Sequence, residues 1–516
     1  MSEVMEIAGK KGRVYMKVGI DLGTTNSAVS YINEHGSPEI VKNSDGERTT
    51  PSVILIEDQK AIIGMTAKEA AAFQSEDTIQ FVKRQMGNNS FEFPLPGTDQ
   101  LIGAVEASAF ILKRIVQDAE QELGETITDV VITVPAYFDD AKRNATKEAA
   151  EMIGVNVLKI INEPTAAALA YYNLEEKTTD QNVAIYDLGG GTFDISIVNI
   201  QDNEVKVLAT DGDANLGGFD FDNAIFNYVA DAFEEETGLD LYDDDMAMQD
   251  LRDSTEKCKK SLTKRDKSLV AVSSQGQTIR KEITKTLFND LIESYLARTS
   301  QIMEETIGES NLTWNDITKV LLVGGSTRTP AISDMIERLT GIEPSKDLNP
   351  DEVVALGAAV QASSIEPSDQ DSRHHIVVRD VNSHSLGIIT GDGQNPDENS
   401  IILERNTEIP CERSKSFVTV QDNQESVMVQ VTEGEDEDPD YVTIIGTSEV
   451  ALPDNLPMGS PLEINIAYDK NGIVHVGAKD LSNQVDLGEF VIERQSNLTQ
   501  EEYEERQETM LAMEVE

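Results

Sequence analysis

Two stretches of the chain are built to one design. Residues 17–32 (KVGIDLGTTNSAVSYI) run from an apolar segment through a polar, glycine-containing corner into a second β-prone segment, and residues 183–200 (VAIYDLGGGTFDISIVNI) repeat the plan. Asp-Leu-Gly stands at 21–23 and again at 187–189. Copies this far apart indicate a duplicated domain rather than a short-period solenoid. Between them the pattern predicts a helix over 105–123, a buried strand at 129–134, an amphipathic helix at 140–153 and a strand at 157–161. An Ala-rich helix follows at 164–172, with Pro164 suited to its first turn. Helices near 219–236, 246–262 and 285–306 and a strand-loop-helix at 319–339 complete this half. Alternation at this spacing predicts α/β lobes with mixed or parallel sheets.

A glycine corner flanked by hydroxyls and preceded by Asp suits a nucleoside triphosphate. Glycines let backbone N–H groups approach phosphate oxygens, and Thr24, Thr25 and Thr192 add hydroxyl donors. Asp21 and Asp187 are tolerable beside phosphate only if they face a cation, most simply Mg²⁺ with its waters. Neither corner is a Walker loop, since GxxxxGK[ST] is missing, and both join strand to strand rather than strand to helix. Val323-Gly324-Gly325-Ser326 is a third corner, whose paired glycines admit the flat edge of a nucleoside.

Composition narrows the partners. The chain of 516 residues has 94 Asp+Glu against 42 Lys+Arg, a formal net charge of −52. That surplus argues against binding a phosphate backbone or docking on anionic lipid. A solvated surface, tolerance of high cytosolic salt and attraction of basic partners remain open as its purpose. Cys258 and Cys411 form no disulfide framework and no zinc spacing, and His374-His375 lacks the spacing of a zinc protease motif. No run reaches the roughly eighteen apolar residues of a membrane helix, and Met1–Val14 lacks the apolar middle of a signal peptide. A cytoplasmic protein is expected, its first residues a tail or a misassigned start.

After Ser363 the pattern changes. Residues 366–375 (EPSDQDSRHH) are polar and turn-rich, and an apolar strip, Ile376-Val377-Val378, follows. From 381 the helical period gives way to short alternating segments separated by turn signals such as Pro453-Asp454-Asn455, which predicts an all-β unit. The expected division is a tail at 1–16, a nucleotide-binding domain at 17–365, a linker at 366–380, a β-sandwich at 381–496 and a short acidic helical tail at 497–516.

Seven segments stand in one order: IDLGTTNS (20–27), VPAYFDDAKRNATKEAA (134–150), INEPTAAALAYY (161–172), DLGGGTFD (187–194), NLGGFDFD (215–222), LLVGGSTRTP (321–330) and LNPDEVVALGAAVQA (348–362). In these the chain resembles the DnaK-type, seventy-kilodalton heat-shock chaperones, relatives of actin and the sugar kinases. The resemblance spans 17–363 and continues more weakly to about 506. It implies a two-lobed, actin-like ATPase with a duplicated ribonuclease-H-like core, then an all-β sandwich and a short C-terminal helix. It implies ATP/ADP, Mg²⁺ and K⁺ as cofactors.

Matched by position, Asp21, Gly23, Thr24, Thr25 and Asn26 resemble one phosphate loop, and Gly189, Gly190, Gly191 and Thr192 the other. Asp187 and Asp194, with Glu163, look like the carboxylates that organise Mg²⁺, monovalent cations and the attacking water; Asp21 joins the first two as a metal-facing group. Lys68, in TAKEAA, matches the lysine that contacts the γ-phosphate, though a solvated helix also carries such lysines. Together with Thr192 these groups suffice for slow hydrolysis, since phosphoryl transfer needs mainly positioning and charge stabilisation. Glu256, Lys259, Lys260 and Thr263 resemble nucleoside contacts on one helix, a spacing equally typical of a solvated face. Gly324, Gly325, Ser326, Arg328 and Asp351 stand opposite, and Gly217 and Gly218 belong to the same nucleotide set. Pro135 and Arg143 match a relay towards the linker, although Pro135 also simply ends a strand.

The linker set is Ile376, Val377, Val378 and Asp380, with Arg379 diluting a strip that is leucine-rich in the family. Ser383 stands where the family has proline. Val427 aligns with the central valine of the peptide pocket, with Ile388, Val420 and Val429 beside it; alternating valines also fill any sandwich core. The loop 391–400 (GDGQNPDENS) is longer and more acidic than the family's apolar arch, and so offers little of the contact area worth about 25 cal/mol per Å². The stretch after 496 is too short for the family's helical lid, so fast peptide exchange and modest affinity are expected, while the acidic rims favour substrates with basic flanks.

The reading is an ATP-driven chaperone for extended apolar segments of unfolded proteins, partnered by a J-domain co-chaperone and an exchange factor, with no nucleic-acid or membrane partner. A nucleotide-gated adaptor or exchange factor for another chaperone, and a small-molecule or sugar kinase, are the alternatives.

Overall fold

The computed structural model describes residues 15–57, 60–88, 90–95, 101–174, 180–365, 376–391, 397–469, 472–492 and 500–516. The start of the N-terminal tail, most of the linker with His374-His375, and the middle of the acidic loop lie outside the described residues.

The duplication is visible in the sheets. In the first, Pro38–Ile40, Asn26–Ile32 and Tyr15–Asp21 form an antiparallel meander, and Thr126–Val134 then pairs in parallel with Tyr15–Asp21. In the second, Glu204–Asp213, Phe193–Gln201 and Gln181–Leu188 form the same meander, with Lys319–Val323 parallel to Gln181–Leu188. Each Asp-Leu-Gly therefore ends the strand flanked by one antiparallel and one parallel neighbour. The strands are buried on both faces, as apolar runs such as VAIY require.

Each lobe has its own core, and a third lies between them. Helix Glu163–Leu174 packs against helix Val353–Ser364, which is mostly apolar and nearly fully buried. Gly357 permits the approach: a Cβ there would fall 1.7 Å from the Ala166 carbonyl oxygen. Among the described residues no helix is long and apolar enough to cross a membrane.

The β-unit is two four-stranded sheets. Glu398–Leu403, Leu386–Thr390, Ser426–Glu433 and Thr443–Ala451 make one; Cys411–Val418, Pro461–Tyr468, Val474–Asp480 and Val485–Ile492 make the other. Their inward residues, among them Leu386, Val431, Ile466 and Val476, fill the space between.

This unit is joined to the two lobes through the segment Ile376–Asp380. Val377–Arg379 extends the second sheet by pairing in parallel with the start of Glu204–Asp213. Ile376 and Val381 are buried in the inter-lobe core and Val378 packs on it, while Val377 faces outward. Arg379 corrects the expectation of dilution: its guanidinium pairs with Glu204 and Glu408, fastening the linker without displacing apolar residues from the core. The tail differs too. Helix Gln500–Ala512 lies on helix Ala104–Leu123, and Glu514–Val515 joins the edge strand Lys60–Ile63. Met510 and Met513 enter the first lobe's core, and Lys113 donates to the carbonyls of Met510, Leu511 and Met513.

Candidate functional site

The two corners meet at the floor of a cleft of about 710 Å³ between the lobes. Their contact explains the glycines: a Cβ at Gly190 would stand 2.4 Å from Thr25 Cγ2, and one at Gly191 2.7 Å from Thr24 Cγ2. Gly23, Asn26, Gly189 and Thr192 line the same floor, and the Gly189 N–H donates to Thr192 O at 3.1 Å. Gly217 and Gly218 close the loop behind it, with the Gly218 N–H donating to Gly189 O at 3.0 Å. Gly324 has φ +81°, a left-handed turn that brings Gly325 and Ser326 over the floor; Ser326 Oγ donates to Gly189 O at 2.7 Å.

Carboxylates gather under this floor. Asp187 and Asp194 are buried, each with one oxygen (Oδ2) that has no hydrogen-bond partner. Asp194 Oδ1 accepts from the Tyr137 N–H at 2.9 Å, and Asp21 Oδ1 accepts from Thr133 Oγ1 at 3.3 Å. Burial, reinforced by the charge of Glu163, pushes Asp21 and Asp194 up to about 7 and raises Asp187 as well. Glu163 itself, at the start of its helix, is ion-paired with the buried ammonium of Lys83. Burial works against that ammonium, but Glu163 and Asp21 outweigh it and raise its pKa.

Lys68 occupies a different place. Its ammonium lies 2.7 Å from Glu256 of the opposite lobe and does not join the carboxylate cluster. The cation that does is Lys83 of FVKRQMG, which the motif matching missed. Its one sequence signal was a lysine beside apolar Phe81 and Val82, a context that favours burial.

The residues expected at the nucleoside, Glu256, Lys259, Lys260, Thr263, Arg328 and Asp351 among them, line the rest of the cleft. Glu256 is held down to about 2; burial opposes this, but Lys68 and Lys260 prevail. Lys259 pairs with Asp222 at 2.6 Å and donates to Gly218 O at 2.7 Å. Burial pushes Asp222 up to about 6, and its Oδ1 has no partner. Thr263 ends this helix, and Arg328 pairs with Asp351 at 2.6 Å on the facing wall.

The orphaned oxygens of Asp187 and Asp194 fit a cation, because a buried carboxylate oxygen without a partner is costly. Among the described residues no three acidic, His or Cys side chains converge enough to hold a metal alone. Mg²⁺ suits that arrangement, since it keeps several waters and takes other ligands from phosphate.

The segment after strand Thr126–Val134 connects this site to the sandwich. Pro135 starts it, and Arg143 holds it by donating to Phe138 O at 2.9 Å and Ala136 O at 2.8 Å. Ser383, read from sequence as a lost proline, donates to Ala136 O. His384 Nε2 meets Tyr137 O at 3.2 Å, its ring edge-on to the Tyr137 ring at 4.4 Å. Thus Tyr137 touches Asp194 through its N–H and the sandwich through its C=O. Asp380 accepts from Asn162 at 3.1 Å and Thr165 at 3.3 Å, beside Glu163.

The expected peptide pocket is not assembled as one surface. Ile388 and Val429 are buried in the sandwich core; Val420 is exposed and Val427 half-buried against Leu452, Leu456 and Leu462. Alternation had marked inward positions without separating core from pocket.

A model of the Hsp70 protein family matches residues 17–516. Among curated proteins, the chaperone protein DnaK of Thermotoga neapolitana is 41% identical over 476 residues, covering 90% of this chain and 78% of that protein.

Proposed function

We propose, from the premise that this chain belongs to the Hsp70 protein family and is an ATP-dependent chaperone of the DnaK type, that its ATPase chemistry centres on Lys83 rather than Lys68. The family's nucleotides are ATP and ADP with Mg²⁺. In this reading Thr24, Thr25, Thr192 and the glycine N–H groups of both corners hold the phosphates. Asp21, Asp187 and Asp194 are the carboxylates that would hold Mg²⁺, and K⁺ would sit beside them. Bound Mg²⁺ supplies neutralisation of the charge on the phosphate oxygens. Lys83 points its ammonium at the transferring phosphoryl group, while Glu163 holds that ammonium and Asp194 orients the water. Lys68 and Glu256 serve as a bridge across the nucleoside end.

The observation that supports this reading is the buried Lys83–Glu163 pair beside the partnerless oxygens of Asp187 and Asp194, at the junction of the corners. Coupling to the sandwich runs through Asp194, Tyr137, His384 and Ser383, with Arg143 and Asp380 as braces and the strand Val377–Arg379 as the tether. Substrates are extended apolar segments of unfolded polypeptides, with basic flanks favoured by the acidic surface; a J-domain protein and an exchange factor complete the cycle. Two free cysteines suit a cytoplasmic setting.

Single-turnover hydrolysis tests the assignment. Lys83→Ala should slow it about 100-fold or more, and Lys68→Ala less than about tenfold, with its main effect on nucleotide affinity. The reverse ranking would restore Lys68 to the reacting phosphate.

A further inference from the structure

A second contact crosses between the lobes beside the second glycine corner. Phe81 follows strand Thr78–Ile79 of the first lobe and precedes the turn Val82–Gln85. Phe219 lies in the first turn of helix Gly218–Thr237 of the second lobe. Their ring centroids are 4.5 Å apart with planes tilted by 54°, and both rings line the cleft. Arg84, also from the first lobe, sets its guanidinium 4.9 Å from the Phe219 centroid while donating to Gly191 O at 3.0 and 3.1 Å. Phe219 is thus gripped by two first-lobe side chains.

The backbone at both ends is committed to this arrangement. Phe81 has φ +57°, a left-handed conformation uncommon for an aromatic residue. The Phe219 N–H donates to Gly190 O at 2.8 Å, tying its ring to the second phosphate corner. Both rings remain half-exposed, so packing of the core does not account for the strain at Phe81.

From this geometry we propose that Phe81, Phe219 and Arg84 form an inter-lobe clasp that governs how fast nucleotide leaves the cleft. The inference rests on the nucleotide-cleft reading above. Corners from both lobes hold the phosphates, so release requires the lobes to part, and parting breaks the ring pair and the guanidinium stack together. The proposed hydrolytic groups are other side chains, Lys83, Glu163 and Asp194. Phe81 and Phe219 are therefore positioning residues: they set residence time and leave the chemical step alone.

Release of a fluorescent ADP analogue from the full chain, beside single-turnover hydrolysis, tests this. Phe219→Ala, and Phe81→Asn, which keeps a residue tolerant of left-handed φ, should each speed release about tenfold. Hydrolysis in both should stay within about twofold of the parent. The double variant should release little faster than the faster single, because both substitutions break one contact, and Phe219→Tyr should restore slow release. Unchanged release in both single variants, or multiplying effects in the double, overturns the clasp while the cleft reading stands. Failure of the parent protein to bind the analogue would instead sink the cleft reading, and the clasp with it.

Discussion

The cleft between the lobes and the seam between ATPase and sandwich are both lined by charged and polar groups, yet they are finished to different degrees. In the cleft, Asp187, Asp194 and Asp222 each keep a buried oxygen without a partner. In the seam, Arg405 pairs with Asp211 and Glu309, Arg379 with Glu204 and Glu408, and Asp380, Ser383 and His384 all have partners. The exception there is Asn162 Oδ1. Buried polar groups are normally satisfied, and those left open mark places for something else to bind. The cleft is complete only with its ligand. The seam is complete alone, so opening it needs a push, and Tyr137 is the group that touches both.

Three experiments can break or sharpen this contrast. The largest effect is expected at the seam. Arg405→Ala leaves buried Asp211 without its cation and frees exposed Glu309, which should weaken docking by about 2 kcal/mol. Inter-domain distances from paired fluorophores should shift towards the separated form; unchanged distances would mean that the seam does not depend on its ion pairs.

Next is the cleft's response to pH. Asp21 and Asp194, pushed up to about 7, carry protons below that pH, and in the proposed site those protons compete with Mg²⁺. Affinity for Mg²⁺·ADP should fall about tenfold between pH 8 and pH 6, with proton release on binding visible by calorimetry in buffers of different ionisation enthalpy. The ligand-free protein should move the other way. Between about pH 4 and 7 the folded state binds more protons at these two groups than the unfolded state does, so their contribution favours folding as pH falls.

The smallest effect is again at the seam, and its sign is opposite. Burial lowers the pKa of docked His384 from its ordinary 6.5, against the pull of Glu435 and Asp139 and with the help of Arg143. Docking is therefore fully supported above 6.5 and loses that support as pH falls below it towards the lower docked value, a few-fold effect in the docked population. His384→Leu should abolish the pH dependence of the inter-domain distance. If it persists, another group in the seam titrates.

How much of this was legible in the sequence depended on how local the physics was. The Asp-Leu-Gly corners, the turn at Gly324 and the change of period after Ser363 are short-range features, and each stands where the pattern put it. Lys68 and Lys83 were not separable in that way. Both are lysines near apolar residues, and only the approach of Glu163, far along the chain, buries one of them. Arg379 read as diluting an apolar strip and Ser383 as a replaced proline, because their partners Glu204, Glu408 and Ala136 come from other elements. The stretch 497–516 read only as a short acidic helical tail, and its Met510 and Met513 face a core that no nearby residue announces.

By itself the sequence determined the duplicated α/β frame, the two glycine corners, the all-β unit and the family, because turn chemistry, hydrophobic period and motif order are written in neighbouring residues. Tertiary structure alone decided which lysine meets the carboxylates, which oxygens stay open, how Tyr137 joins the cleft to the seam, and that Phe81 reaches Phe219. Those outcomes depend on burial and charge neighbours, and both are set by residues that the chain brings together only when it folds.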